Sequence, residues 1–156
     1  MRVLRRFPVL VAVLMAATTV GAARPAAAQP AVAVLHATLL GTNEVPGPGD
    51  PNATGSATIM LNSAEKSVCF VIRVQNTPPL LAAHIHRGGP HEAGPVVVPL
   101  APLTGGPNRY AGCTTAPRAT IRAIVDHPRR YYVNVHNAPF PAGAARGQLS
   151  RLTAAA

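Results

Sequence analysis

Ser67-Val68-Cys69-Phe70-Val71-Ile72-Arg73-Val74 is the stretch that decides the fold class. Side chains of a strand leave its two faces alternately. Here Val68, Phe70, Ile72 and Val74 share one face, and Cys69, Val71 and Arg73 share the other. A wholly apolar face opposite a mixed one marks a strand with one side on a core. Just upstream, Gly55-Ser56-Ala57-Thr58-Ile59-Met60-Leu61 reads as a second strand, and Asn62-Ser63-Ala64-Glu65-Lys66 between them has turn chemistry. The two are expected to form a hairpin.

Outward from this hairpin the pattern repeats. Ala31 to Leu40 alternates as a first strand and stops at Gly41, after which Gly47, Pro48, Gly49 and Pro51 impose an irregular loop. Beyond Pro78-Pro79, short strands are expected at Ala82–His86, Val96–Leu100, Arg109–Thr115, Tyr131–His136 and Ala145–Arg151. Pro99 places the second of these at a sheet edge, because proline cannot donate to a ladder. One short helix is expected after Thr115-Ala116-Pro117-Arg118, with Ile121, Ile124 and Val125 at helical spacing and Pro128 beyond its end. About eight short strands, Gly/Pro-rich turns and a single helix predict an all-β sandwich or barrel.

Two of these strands carry the chemistry. In Ala82-Ala83-His84-Ile85-His86-Arg87-Gly88-Gly89 the histidines lie at i and i+2, on one face and ~6.6 Å apart along the backbone. In Tyr131-Tyr132-Val133-Asn134-Val135-His136 one face holds Tyr132, Asn134 and His136, and the other holds Tyr131, Val133 and Val135. If the strands are neighbours with polar faces matched, three histidines and an asparagine meet. Imidazole is a good ligand for Zn²⁺ and Cu²⁺, so His84, His86 and His136 are a candidate copper or zinc site, with Glu44, His91 or water as a fourth ligand. The competing reading is a hydrogen-bonded polar cluster in which Glu44, Tyr132, Asn134, Arg146 and Gln148 join the histidines and pin loops to the sheet. His36 and His127 have no partner in sequence.

A chain of 156 residues suits one domain. Residues 1–28 are expected to be a secretory signal peptide: Arg2, Arg5 and Arg6 precede the apolar run Phe7 to Ala17, and Ala26-Ala27-Ala28 offers a small-residue cleavage site before Gln29. That apolar run is shorter than the ~20 residues a membrane span needs. The expected mature domain, residues 29–156, is thus exported, periplasmic or secreted, with no transmembrane segment. Without Arg2, Arg5, Arg6 and Arg24 the basic count falls from 14 to 10 against 5 acids, which lowers the net charge from +9 to +5. The remaining cations are scattered and form no basic stripe, so a nucleic-acid partner is not expected. Cys69 and Cys113 are an even pair in an exported chain, which favours a disulfide over two free thiols or a metal pair. No nucleophile elbow, phosphate-cradling loop or pair of neighbouring carboxylates is present, so no catalytic residue is assigned and the sequence offers no support for an ordinary hydrolase.

Taken together, the motifs resemble the CHRD domain, the module repeated in chordin and found singly in many exported microbial proteins. The resemblance rests on Leu40-Gly41 with Glu44-Val45-Pro46, Ala83-His84-Ile85-His86-Arg87-Gly88, Gly94-Pro95-Val96-Val97 with Leu100, Tyr131 to His136, and Pro141-Ala142-Gly143 with Arg146-Gly147-Gln148-Leu149. These follow the family's order over about residues 34 to 150. The resemblance implies an immunoglobulin-like antiparallel β-sandwich, distantly similar to copper/zinc superoxide dismutases, and implies no reaction. A dismutase site would need a further copper histidine and a zinc loop with an aspartate, whereas the loop after His86 offers only His91 and Glu92. The functional expectation is a non-enzymatic binding or structural module for an extracytoplasmic ligand, with copper or zinc binding as the alternative.

Overall fold

A computed structural model describes residues 32–152. The signal-peptide expectation for residues 1–28 lies outside them. Wherever apolar and other residues alternate, the chain is extended: β1 (Val32–Leu40), β2 (Thr54–Asn62), β3 (Ser67–Gln75), β4 (Leu80–Arg87), β5 (Val96–Pro99), β6 (Thr104–Gly105), β7 (Arg109–Thr115), β8 (Tyr131–Asn137) and β9 (Ala145–Gln148). The one α-helix among the described residues, α1 (Arg118–Asp126), turns Ile121, Ile124 and Val125 inward. Pro128 opens a 3-10 turn that leads straight into β8.

The strands join edge to edge in the order β5-β4-β8-β9-β1-β2-β3-β7-β6. The β2–β3 hairpin pairs from Thr54↔Gln75 to Asn62↔Ser67 without a slip. Its turn is closed by Asn62, whose Oδ1 accepts from the N–H groups of Ala64 and Glu65. In β3 the apolar face is buried as expected, with Val68, Phe70, Ile72 and Val74 almost without exposure. Cys69 is on the opposite face, directly across from Cys113 of β7, and the two are bonded. β5, carrying Pro99, is an edge strand.

Residues of β1, β2, β3, β4 and β8 and of α1 contribute to one core. Because β8 and β3 are far apart in strand order, a sheet that buries both in one core has to curl over it. Between β9 and β1 the ladder is narrow. There the registered pair is Leu40↔Arg146, followed by a bridge in which His36 and Ser150 exchange backbone bonds of 2.9 and 2.8 Å. Gly147 makes that approach possible, since a Cβ there would run into the Thr38 carbonyl.

The all-β expectation with one helix holds. Among the described residues hydrogen bonding runs through nine strands as one curled sheet. The ninth strand is β6, which pairs with Tyr110 and Ala111. Two residues in a Gly/Pro-rich stretch have no alternation to read. β9 also ends earlier than expected, at Gln148; beyond it the pairing is reduced to the Leu149 N–H bond to the Tyr131 carbonyl and the Ser150 bridge.

The Cys69–Cys113 bridge spans 44 positions of sequence, and such a loop is worth about 4 kcal/mol on the chain-entropy account. A Cys69→Ser/Cys113→Ser double variant is expected to lose stability of this order in urea unfolding. Thiol titration of the unreduced, unfolded wild type is expected to find none.

Candidate functional site

The register of three adjacent strands builds the site. Across β4 and β8, His84 faces Asn134, His86 faces Tyr132, and Ala82 faces His136. Across β8 and β9, Asn134 faces Arg146 and Tyr132 faces Gln148. With period-two alternation these side chains share the face opposite the core, while Ile85, Val133 and Val135 are buried beneath them. All eight residues expected on the polar face are brought together there. Cys69 and Cys113 lie elsewhere, on β3 and β7.

This face is not simply solvated. Arg146 is only 1 % exposed and Asn134 and Tyr132 3 % each, because loops fold over them. Arg146 holds the loop after β4: its guanidinium donates to the carbonyls of Gly89 at 2.8 Å and Glu92 at 3.1 Å. Gln148 donates to the carbonyls of Gly88 and Arg129, both at 2.8 Å. The Tyr132 hydroxyl accepts from the Gly94 N–H at 3.1 Å. The Tyr132 ring is flanked from both neighbouring strands. The His86 ring stacks on it at 4.9 Å and 9°, and the Arg146 guanidinium carbon lies 3.5 Å from its centroid.

Glu44, carried by the loop after β1, reaches the same layer and accepts from the Asn134 amide. Burial pushes its carboxyl up to about 7, against the opposing effects of the Arg146 charge, the Val45 N–H and Asn134. A Cβ at Gly143 would strike both the Glu44 carboxylate and the Asn134 amide. Glycine is what lets the β8–β9 corner close over them.

Hydrogen bonding assigns the histidine tautomers. The Nδ1 of His86 lies 2.9 Å from the Gly94 carbonyl, and the Nδ1 of His136 lies 3.1 Å from the Pro141 carbonyl. A carbonyl only accepts, so both rings carry hydrogen on Nδ1 and a lone pair on Nε2. The Nε2 of His136 lies 3.0 Å from the Nδ1 of His84. The Nε2 of His86 is buried without a partner. His84, His86 and His136 can each present one nitrogen so that the three lie within 4.8 Å of one another. All three rings are held below the ordinary imidazole value of 6.5, by burial before anything else. After burial, neighbouring His136 and His86 lower His84 further, whereas the Gly94 and Pro141 carbonyls oppose the shift at His86 and His136 and outweigh the lesser lowering by Arg146 and His86.

Glu44 and His91 line a separate hollow with Arg146 and Gln148 and are not among the converging nitrogens. A second buried group had gone unread in the sequence. Asp50 accepts from Thr77 at 2.9 Å, and Asn137 donates to the same Thr77 hydroxyl at 2.8 Å. Asn137 also accepts from the Phe140 N–H, and the Asp50 N–H donates to the Ala144 carbonyl. These contacts tie the loop after β1 to the β8–β9 corner that supplies the Pro141 carbonyl. An asparagine closing a strand ahead of Ala138-Pro139 is the one local signal for it.

A family model described as the CHRD domain matches residues 35–149 of the chain. No curated protein matches it. No solved structure matches it either.

The two kinds of shifted group oppose each other in pH. Below 6.5 the unfolded chain takes up protons that the three folded imidazoles resist, so stability falls as pH drops through that value. Folded Glu44 keeps its proton up to about 7, whereas unfolded it releases it near 4.5, so its contribution is lost as pH rises between these values. In melting series from pH 8 to 5 with chelator, His84→Gln/His86→Gln is expected to flatten the acid loss and Glu44→Gln to steepen it. Identical slopes in all three proteins would contradict the assignment.

Proposed function

We propose that this chain, which belongs to the CHRD family, is an exported module that binds a ligand on its histidine face and does not transform it. The observation that carries this reading is where the polar groups are spent. Arg146, Gln148 and Tyr132, the side chains that could polarise or orient a substrate, are engaged with backbone groups of residues 88–94 and 129. They make a scaffold. The three imidazoles stand at the border of that scaffold, half-buried, with a shallow hollow of about 330 Å³ beside His84 and His136. Preorganised groups of this kind lower the ordering cost of binding, which is the property a recognition module needs.

The core sequence pattern, the curled sheet and its narrow β9–β1 junction support an immunoglobulin-like sandwich whose two halves meet at that junction. The Cys69–Cys113 bridge supports export, to the periplasm or beyond, since disulfides persist in oxidising compartments. Among the described residues no helix is long and apolar enough to cross a membrane. The expected signal peptide at residues 1–28 and the mature domain at 29–156 belong to the same proposal.

Purified protein is expected to give no turnover in a screen covering ester, peptide, glycoside and phosphate hydrolysis and superoxide consumption. Turnover that His84→Ala abolishes would overturn the binding-module reading.

A further inference from the structure

We propose that His84, His86 and His136 form a site for one divalent transition-metal ion of the copper or zinc class, bound through His84 Nδ1, His86 Nε2 and His136 Nε2. The proposal rests on the binding-module reading and names its ligand.

Distances come first. An ion about 2.0–2.1 Å from each imidazole nitrogen sets neighbouring nitrogens about 2.9 Å apart at a right angle and about 3.4 Å apart at the tetrahedral angle. The His84 Nδ1–His136 Nε2 pair already stands at 3.0 Å, and each of the three rings has one nitrogen within 4.8 Å of the other two.

Orientation is fixed independently of any ion. The Gly94 and Pro141 carbonyls hold the Nδ1–H groups of His86 and His136, which leaves both Nε2 atoms with a lone pair, that of His136 facing His84. Metal-bound histidines are commonly held in this way, with the second nitrogen donating to a carbonyl. The His86 Nε2 then has no protein partner although it is buried, a costly arrangement that an ion would relieve. His84 can take either neutral tautomer, so its Nδ1 is freed for the ion once its proton sits on Nε2. No ring has to ionise.

Donor chemistry chooses the ion. The set is three neutral nitrogens with no carboxylate or thiolate among the converging groups. Calcium and magnesium prefer oxygen cages. Imidazole donors suit copper, zinc and nickel, and the general order of affinity puts copper(II) highest. The hollow lined by Leu81, Ala82, His84, His136 and Pro141 gives access from solvent to His84 and His136.

The test is a titration of chelator-stripped protein with CuSO₄ and, separately, ZnCl₂, read by calorimetry and, for copper, by electron paramagnetic resonance. One equivalent is expected to bind, with nitrogen hyperfine structure from three imidazoles. His84→Gln, His86→Gln and His136→Gln are each expected to weaken it more than about a hundredfold, beyond the usual effect of losing a supporting residue, while His91→Gln and His127→Gln leave it unchanged. Should the histidine variants misfold, paramagnetic broadening in wild-type spectra supplies the answer: it is expected to be confined to residues around these three rings, and broadening centred elsewhere overturns the site. Folded protein that takes up neither ion also overturns it and leaves the binding-module reading standing. Turnover by stripped protein overturns that reading instead.

Discussion

A guanidinium buried at 1 % exposure is the constraint from which the rest of the polar face follows. A guanidinium such as that of Arg146 carries a charge, and a buried charge without partners is among the costliest things a fold can contain. It therefore needs acceptors, and the Gly89 and Glu92 carbonyls together with the face of Tyr132 supply them. The loop after β4 is thereby placed. The same loop presents the Gly94 carbonyl to His86, so the arginine on β9 decides, through backbone, which nitrogen of a histidine on β4 carries hydrogen.

β8 is the strand on which this arrangement turns. It pairs with β4 on one side and β9 on the other, over a core of Val133 and Val135. Its outward residues reach neighbouring elements: Tyr132 lies between His86 and Arg146, Asn134 reaches Glu44, and His136 joins His84 to the Pro141 carbonyl. A sheet is suited to this, because register sets which side chains meet and a one-residue slip would send every one of them into the core. The Cys69–Cys113 bridge lies in the other half of the sheet, across the narrow junction between β9 and β1.

Much of this was legible in the sequence because it depends on period two. The alternation of Ser67 to Val74 yields its buried face directly, and the spacing of His84, His86, Asn134 and His136 puts them on one surface once β4 and β8 pair. What was not legible depends on loops. Nothing in the strand pattern says that Asn134 and Arg146 are covered, since the cover comes from residues 88–94 and 141–144, whose backbone carbonyls carry no side-chain signature. Glu44 reads as a lone acid in a Gly/Pro-rich loop, and only its burial raises its carboxyl to about 7. The Asp50–Thr77–Asn137 group joins three segments remote in sequence, and β6 is too short for any pattern.

The central claim is that a scaffold organised by Arg146 presents three neutral imidazoles, two of them, His86 and His136, with their tautomers already set. Long-range ¹⁵N–¹H correlation spectra of the histidine rings at pH 7.5, in chelator, measure this most directly. The account predicts His86 and His136 protonated on Nδ1 with a lone pair on Nε2, and predicts that Arg146→Met lets His86 exchange between tautomers while His136, held by the Pro141 carbonyl, stays fixed. Rings protonated on Nε2 in the wild type, or a His86 tautomer indifferent to Arg146, would contradict it.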